Sequence, residues 1–160
     1  MLNVTLLCVG KLKEAYWRDA CAEYEKRLGA FCRFRLIEVA EERLPDNPSA
    51  AQIAVTVEAE GKRLLEQIPR DSAVVPLCIE GKELDSPALA ARMQKWAVEG
   101  TSHITFIIGG SWGLSDAVKS RAALRLSMSP MTFPHQLARV MVLEQVYRAF
   151  QISSGGKYHK

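Results

Sequence analysis

Three short apolar runs, at residues 2–9, 73–79 and 103–108, recur along the chain with stretches of helical spacing between them. Each is rich in Val, Ile and Leu and ends at a glycine or a polar turn. Strands of that composition are buried on both faces, and they belong to parallel sheets covered by helices on either side. The pattern predicts an α/β chain: a mainly parallel sheet flanked by helices, forming a single domain over residues 1–160. Residues 31–39 alternate at period two and predict a half-exposed strand. Residues 124–128 predict one more short strand.

Helical spacing covers residues 14–28, closed by Gly29, and residues 50–68, after a polar loop at 40–49 with Pro45 and Pro48. Ser86-Pro87 predicts a helix start, with Ser as N-cap and Pro at the first helical position, running to about Val98 and stopped by Gly100. Ser115-Asp116 caps a short helix, and a long one follows Pro134 to about Ser153. In that last helix Leu137, Val140, Met141, Leu143, Tyr147 and Phe150 form an apolar stripe, widened by Ala138, Val142, Val146 and Ala149. A helix apolar nearly all round packs on more than one neighbour, here the sheet and a second copy of the chain, so a homodimer is expected.

At 160 residues and 48% hydrophobic, the chain buries a core without disulfide or metal staples. No apolar run approaches the length of a membrane span, and the N-terminus lacks the pattern of a secretory signal, so a cytoplasmic location is expected. Cys8, Cys21, Cys32 and Cys78 contain no CxxC pair, and with only His103, His135 and His159 besides, no metal site is expected. The net charge of +3 is unevenly spread. Residues 119–160 hold seven Lys or Arg against the single acid Glu144, while the rest of the chain holds 14 basic and 17 acidic groups. A basic end on an otherwise acidic chain suits an anionic partner such as RNA, or is simply a solvated surface.

Ligands of parallel α/β sheets bind beside the carboxyl ends of the strands, which points to the loops starting at Glu80, Gly109 and Ser129. In the loop Gly109-Gly110-Ser111-Trp112-Gly113 the backbone is free to approach a ligand closely, but glycine-rich turns are common in α/β folds. A phosphate-binding P-loop needs Lys then Ser or Thr after its last glycine, where this chain has Leu114-Ser115. A dinucleotide site needs an acid about 20 residues on, and none lies between Asp116 and Glu144. The segment 127–135 is too apolar for an ordinary surface loop and reads as a packed turn or the wall of a pocket for a flat group. After a flexible Gly155-Gly156 hinge comes Lys157-Tyr158-His159-Lys160, which is either a frayed end or a pair of side chains delivered to a site.

Taken in order, these segments resemble the large-subunit ribosomal RNA methyltransferase H family of the SPOUT superfamily, whose members methylate a pseudouridine. The likeness rests on Leu77 with Ile79-Glu80-Gly81-Lys82, on Ile107-Ile108-Gly109-Gly110 with Gly113-Leu114-Ser115, and on Met131-Thr132-Phe133-Pro134-His135. It continues through Leu137, Arg139-Val140, Glu144-Gln145, Tyr147-Arg148-Ala149 and Tyr158-His159, and it starts at Val9-Gly10-Lys11. The resemblance implies a SPOUT-type fold with a C-terminal trefoil knot, a homodimer, and S-adenosylmethionine as cofactor. By position, the cofactor contacts would be Leu77, Gly109, Met128, Ser129, Pro130, Met131, Thr132 and Phe133. The family often has Pro-Glu where this chain has Ser111-Trp112, which removes any part played by that acid.

The implied reaction moves a methyl group to N3 of a pseudouridine in the 23S RNA of assembled ribosomes, with no metal. His159 and Tyr158 are the expected proton-handling or base-orienting groups, with Arg139 neutralising charge on a uracil oxygen or phosphate. His135 is an alternative base, or else a structural contact at the helix start. The competing readings are a ribosome-binding assembly factor without chemistry and, weakened by the missing acid, a nucleotide-dependent oxidoreductase.

Overall fold

The computed structural model describes residues 1–160. Five parallel strands form one sheet: β1 (Asn3–Val9), β2 (Arg33–Val39), β3 (Ser72–Glu83), β4 (His103–Ile108) and β5 (Leu126–Ser127), in the order β2-β1-β4-β3-β5. The helices are α1 (Ala15–Leu28), α2 (Ala50–Gln67), α3 (Ser86–Val98), α4 (Asp116–Ser120) and α5 (His135–Ser153).

Successive side chains of a strand point to opposite faces, and that alternation sorts the core into two layers. Val4, Leu6 and Cys8 of β1 join Ile104, Phe106 and Ile108 of β4 under α1, α3 and α5. On the other face Leu7, Val9, Val74 and Ile107 pack with Leu64 of α2 and Val118 of α4. The central strands are buried on both faces, which is why they read as unbroken apolar runs. The chain leaves β3 toward the α3 face and leaves β4 toward the α4 face. The crevice between their carboxyl ends is therefore a switch point of the kind that opens a ligand site in α/β sheets.

Several expectations are corrected. β3 continues to Glu83, past the apolar run, because after a register shift its end pairs with β5 through Lys82 and Glu83. Ile79, Glu80, Lys82 and Glu83 are exposed, so the backbone ladder extends where helices no longer cover the sheet and the apolar signal stops. β5 is shorter than residues 124–128. Asp85, not Ser86, caps α3 by accepting the Ala88 amide at 2.8 Å; Ser86 is free to donate to Gln145 Oε1 of α5 at 2.6 Å. Gly29 does follow α1, but in a right-handed conformation, so it is not the left-handed cap a glycine there suggests.

In α5 the fully buried residues are Arg139, Val142, Leu143, Val146 and Ala149. Of the expected stripe only Leu143 is among them; Leu137, Val140, Met141, Tyr147 and Phe150 are half-buried in the single chain. No helix is long and apolar enough to cross a membrane.

Candidate cofactor pocket and the docked tail

A cavity of about 560 Å³ opens at the carboxyl ends of β4 and β5 and against Leu77, Cys78 and Ile79 of β3. The loops starting at Gly109 and Ser129 wall it, whereas the expected loop at Glu80 contributes nothing to the lining, because Glu80 to Glu83 continue β3. Leu77, Gly109, Met128, Ser129, Met131, Thr132 and Phe133 all line it, whereas Pro130 does not. Sequence reasoning reached Gly110, Ser111, Gly113, Pro134 and His135 through the glycine loop and the 127–135 segment, but it assigned no place in the lining to Ile79, Leu114, Leu126 or Ala138. Ile79, Leu114, Leu126 and Ala138 supply further apolar wall, and His135 sits at the start of α5. Their signal was position alone, each lying at a strand end or at the helix start that follows it.

Local bonding fixes the walls. Gly113 adopts φ +84°, and its amide donates to the Gly110 carbonyl at 3.1 Å, closing a tight turn after β4. Ser115 then caps α4 by accepting the Val118 amide at 3.3 Å. The 128–134 loop is braced by its own serines: Ser129 Oγ accepts the Met131 amide at 3.0 Å, and Ser127 Oγ donates to the Ser129 carbonyl at 3.1 Å. Lys119 of α4 donates to Glu80 at 2.6 Å, tying the exposed end of β3 to the same region and holding the Glu80 carboxyl below its ordinary range.

No Lys, Arg, Asp or Glu lines this cavity. A phosphate would find no cation there, whereas a flat heterocycle with hydroxyls finds apolar walls and loop backbone groups for specificity. Trp112 lines a separate acidic cleft with Glu41, Glu42, Asp46 and Glu60; Ser111 alone of the departing pair reaches both.

The expected catalytic residues do not meet in this pocket. Arg139 is 1% exposed, paired with Glu38 at 2.6 Å and donating to the Gly10 carbonyl at 2.8 Å. Its guanidinium pins the end of β1 against β2, and the expectation that it meets a substrate anion is corrected for the single chain. Tyr158 and His159 lie on another face of α5. The helix ends in a Schellman turn, with Gly156 N–H on the Gln151 carbonyl, Gly155 N–H on Ile152, and Gly155 at φ +74°. Gly156 packs so close to Gln151 that a Cβ there would overlap its side chain. The expected flexible hinge is thus a fixed turn that folds the tail back along α5.

There Tyr158 donates to Glu144 Oε2 at 2.9 Å and meets Tyr147 edge-on at 4.9 Å. Arg148 reaches Glu144 Oε1 at 2.7 Å through Nε and His159 Nδ1 at 3.1 Å through Nη1, with its guanidinium 4.6 Å from the Tyr158 ring centre. Partial burial and the Glu144 carboxylate push the Tyr158 hydroxyl up to about 12.

Residues 2–159 match the family model described as "Predicted SPOUT methyltransferase". The chain belongs to the SPOUT methyltransferase family. Two relatives bear the name Ribosomal RNA large subunit methyltransferase H, one from Bifidobacterium adolescentis and one from Bifidobacterium animalis subsp. lactis. Each is 50% identical over 159 residues, covering 99% of this chain and all of the relative. A solved structure of a probable methylase family protein from Haemophilus influenzae is similar in fold, with a TM-score of 0.52 at 14% identity, over 99% of this chain and 70% of the other.

Proposed function

We propose that this chain transfers a methyl group from S-adenosylmethionine to N3 of a pseudouridine in the 23S RNA, acting as a cytoplasmic homodimer on assembled ribosomes. The observation that carries the reading is 50% identity over whole length to proteins named Ribosomal RNA large subunit methyltransferase H. The pocket supports it independently, since its uncharged apolar walls suit an adenosyl group and seven of the eight expected contact residues line it. The trefoil-knotted threading of the C-terminal segment belongs to the same reading.

When bound, S-adenosylmethionine supplies an electrophilic methyl group on a sulfonium. The chain's own residues have three tasks: to seat that group, to bring N3 in line with it, and to stabilise the base as N3 loses its proton. Leu77, Leu114, Leu126 and Phe133 exclude water from the seat. His135 is the one imidazole in the lining and is the candidate proton acceptor. Tyr158 is a poor acceptor, because it already donates to Glu144 and its hydroxyl is held near 12.

A dimer supplies what the single chain lacks. Helical spacing sets His135 and Ala138 roughly 120–180° around α5 from Glu144, so the docked tail faces away from its own pocket. The face carrying the tail cluster also carries the half-buried Leu137, Val140 and Met141. Pairing two chains through this face buries those side chains and brings one subunit's tail toward its partner's pocket.

The test is incubation of the purified protein with methyl-labelled S-adenosylmethionine and ribosomes from cells lacking the enzyme. Label in a single large-subunit pseudouridine is expected. Cofactor binding without label refutes the assigned substrate, and no cofactor binding favours an assembly factor without chemistry.

A further inference from the structure

The tail cluster contains more than an anchor. Glu144 uses both oxygens, one on Arg148 and one on Tyr158, and Arg148 uses its remaining reach on His159. A guanidinium carries five N–H donors and no acceptor, so any hydrogen bond between Arg148 and an imidazole nitrogen requires a lone pair on that nitrogen. The nitrogen concerned is Nδ1, at 3.1 Å. A neutral imidazole with its lone pair on Nδ1 carries its proton on Nε2.

Building on the methyl-transfer reading above, we infer that Glu144 and Arg148 are positioning residues that lock His159 as the Nε2–H tautomer, so that the tail offers the substrate base a hydrogen-bond donor rather than a proton acceptor. The chemistry gives such a donor a use. As N3 of a uracil ring loses its proton, negative charge spreads onto the flanking carbonyl oxygens, and a preorganised N–H aimed at one of them stabilises that charge. Tyr158 fits the same division of labour: its hydroxyl is occupied by Glu144 and its ring carries the Arg148 guanidinium. Acceptance of the N3 proton then falls to a group outside the tail.

The direct test needs no RNA and no cofactor. The full-length, untagged protein is labelled with ring-15N histidine, and His159 is assigned by the signal lost in His159→Gln. At neutral pH, His159 is expected to show a protonated Nε2 and a bare Nδ1, and Arg148→Met should convert this to a mixture of tautomers while the circular dichroism spectrum stays native. A protonated Nδ1, or the same spectrum with and without Arg148, overturns the inference.

A kinetic arm separates donor from base. The side-chain amide introduced by His159→Gln can still donate but cannot take up a proton, so this variant should keep labelled methyl transfer within about tenfold. His159→Phe should lose roughly a hundredfold in kcat at unchanged cofactor affinity. Equal loss in the two variants overturns the donor role. Failure of the wild type to label ribosomes would count against the substrate reading and leave the tautomer result standing.

Discussion

Replacing Arg139 with methionine separates a structural pin from a substrate contact. The guanidinium is 1% exposed and holds two groups, the Glu38 carboxylate at 2.6 Å and the Gly10 carbonyl at 2.8 Å. Removing one partner of a buried pair costs about 3–5 kcal/mol. The lower end applies here, about 3 kcal/mol, because the Glu38 side chain keeps 27% exposure and recovers some water when orphaned. The freed Gly10 carbonyl adds about 1 kcal/mol. A total near 4 kcal/mol lowers Tm by roughly 8–16 °C in a chain of this size. Removing both charges in Arg139→Met/Glu38→Met should recover at least half of the loss, since no carboxylate is then left unpaired. Urea unfolding at fixed protein concentration reads the stability, and a cofactor titration shows whether the pocket survives. A loss under about 1 kcal/mol together with abolished methyl transfer would refute the reasoning and return Arg139 to the substrate.

Burial pushes the Cys8 thiol up from 9.0 to about 12, so the native state resists ionising where the unfolded chain does not. The folded-state value is the higher one, so this stability is fully present below pH 9 and is lost between 9 and 12; at about pH 10.5 the loss from Cys8 alone is about 2 kcal/mol, readable as a fall in unfolding free energy above about pH 9. Gly61 of α2 abuts Ser115, and a Cβ there would overlap the Ser115 hydroxyl that caps α4. Gly61→Ala should therefore cost about 1–2 kcal/mol and weaken cofactor binding, because the glycine loop is anchored on α4; an unchanged titration would show the loop to be independent of that cap. Val140→Asp puts a charge on the half-buried face of α5. It should yield monomers in sedimentation that bind cofactor but do not transfer methyl, whereas active monomers would rule out a tail acting in the partner's pocket.

The central strands were legible because burial on both faces leaves an unbroken apolar run, which few other environments produce. The glycine loop and the apolar 127–135 segment were legible as pocket walls because a rule of topology, not of composition, selects the loops at strand carboxyl ends. The end of β3 was not legible, since its last residues hydrogen-bond through the backbone while Ile79, Glu80, Lys82 and Glu83 face water. The tail was misread as a hinge because Gly-Gly is compatible with both freedom and a tight Schellman turn. The left-handed Gly155 and the bonds of the Gly155 and Gly156 amides to the Ile152 and Gln151 carbonyls distinguish the two.

Local periodicity and the order of the segments determined the α/β class, the loops that build the pocket and, through likeness along the whole chain, the family. The partners of the charged side chains were decided by tertiary structure alone. Arg139 sits on α5 among apolar neighbours and looks available for an anion. Its two partners lie 101 and 129 residues earlier in the chain, brought beside it by parallel pairing of β1 and β2. Spacing along a helix or strand reports which face a residue occupies. Which group waits on the other side depends on contacts between segments distant in sequence, and those form only in the folded chain.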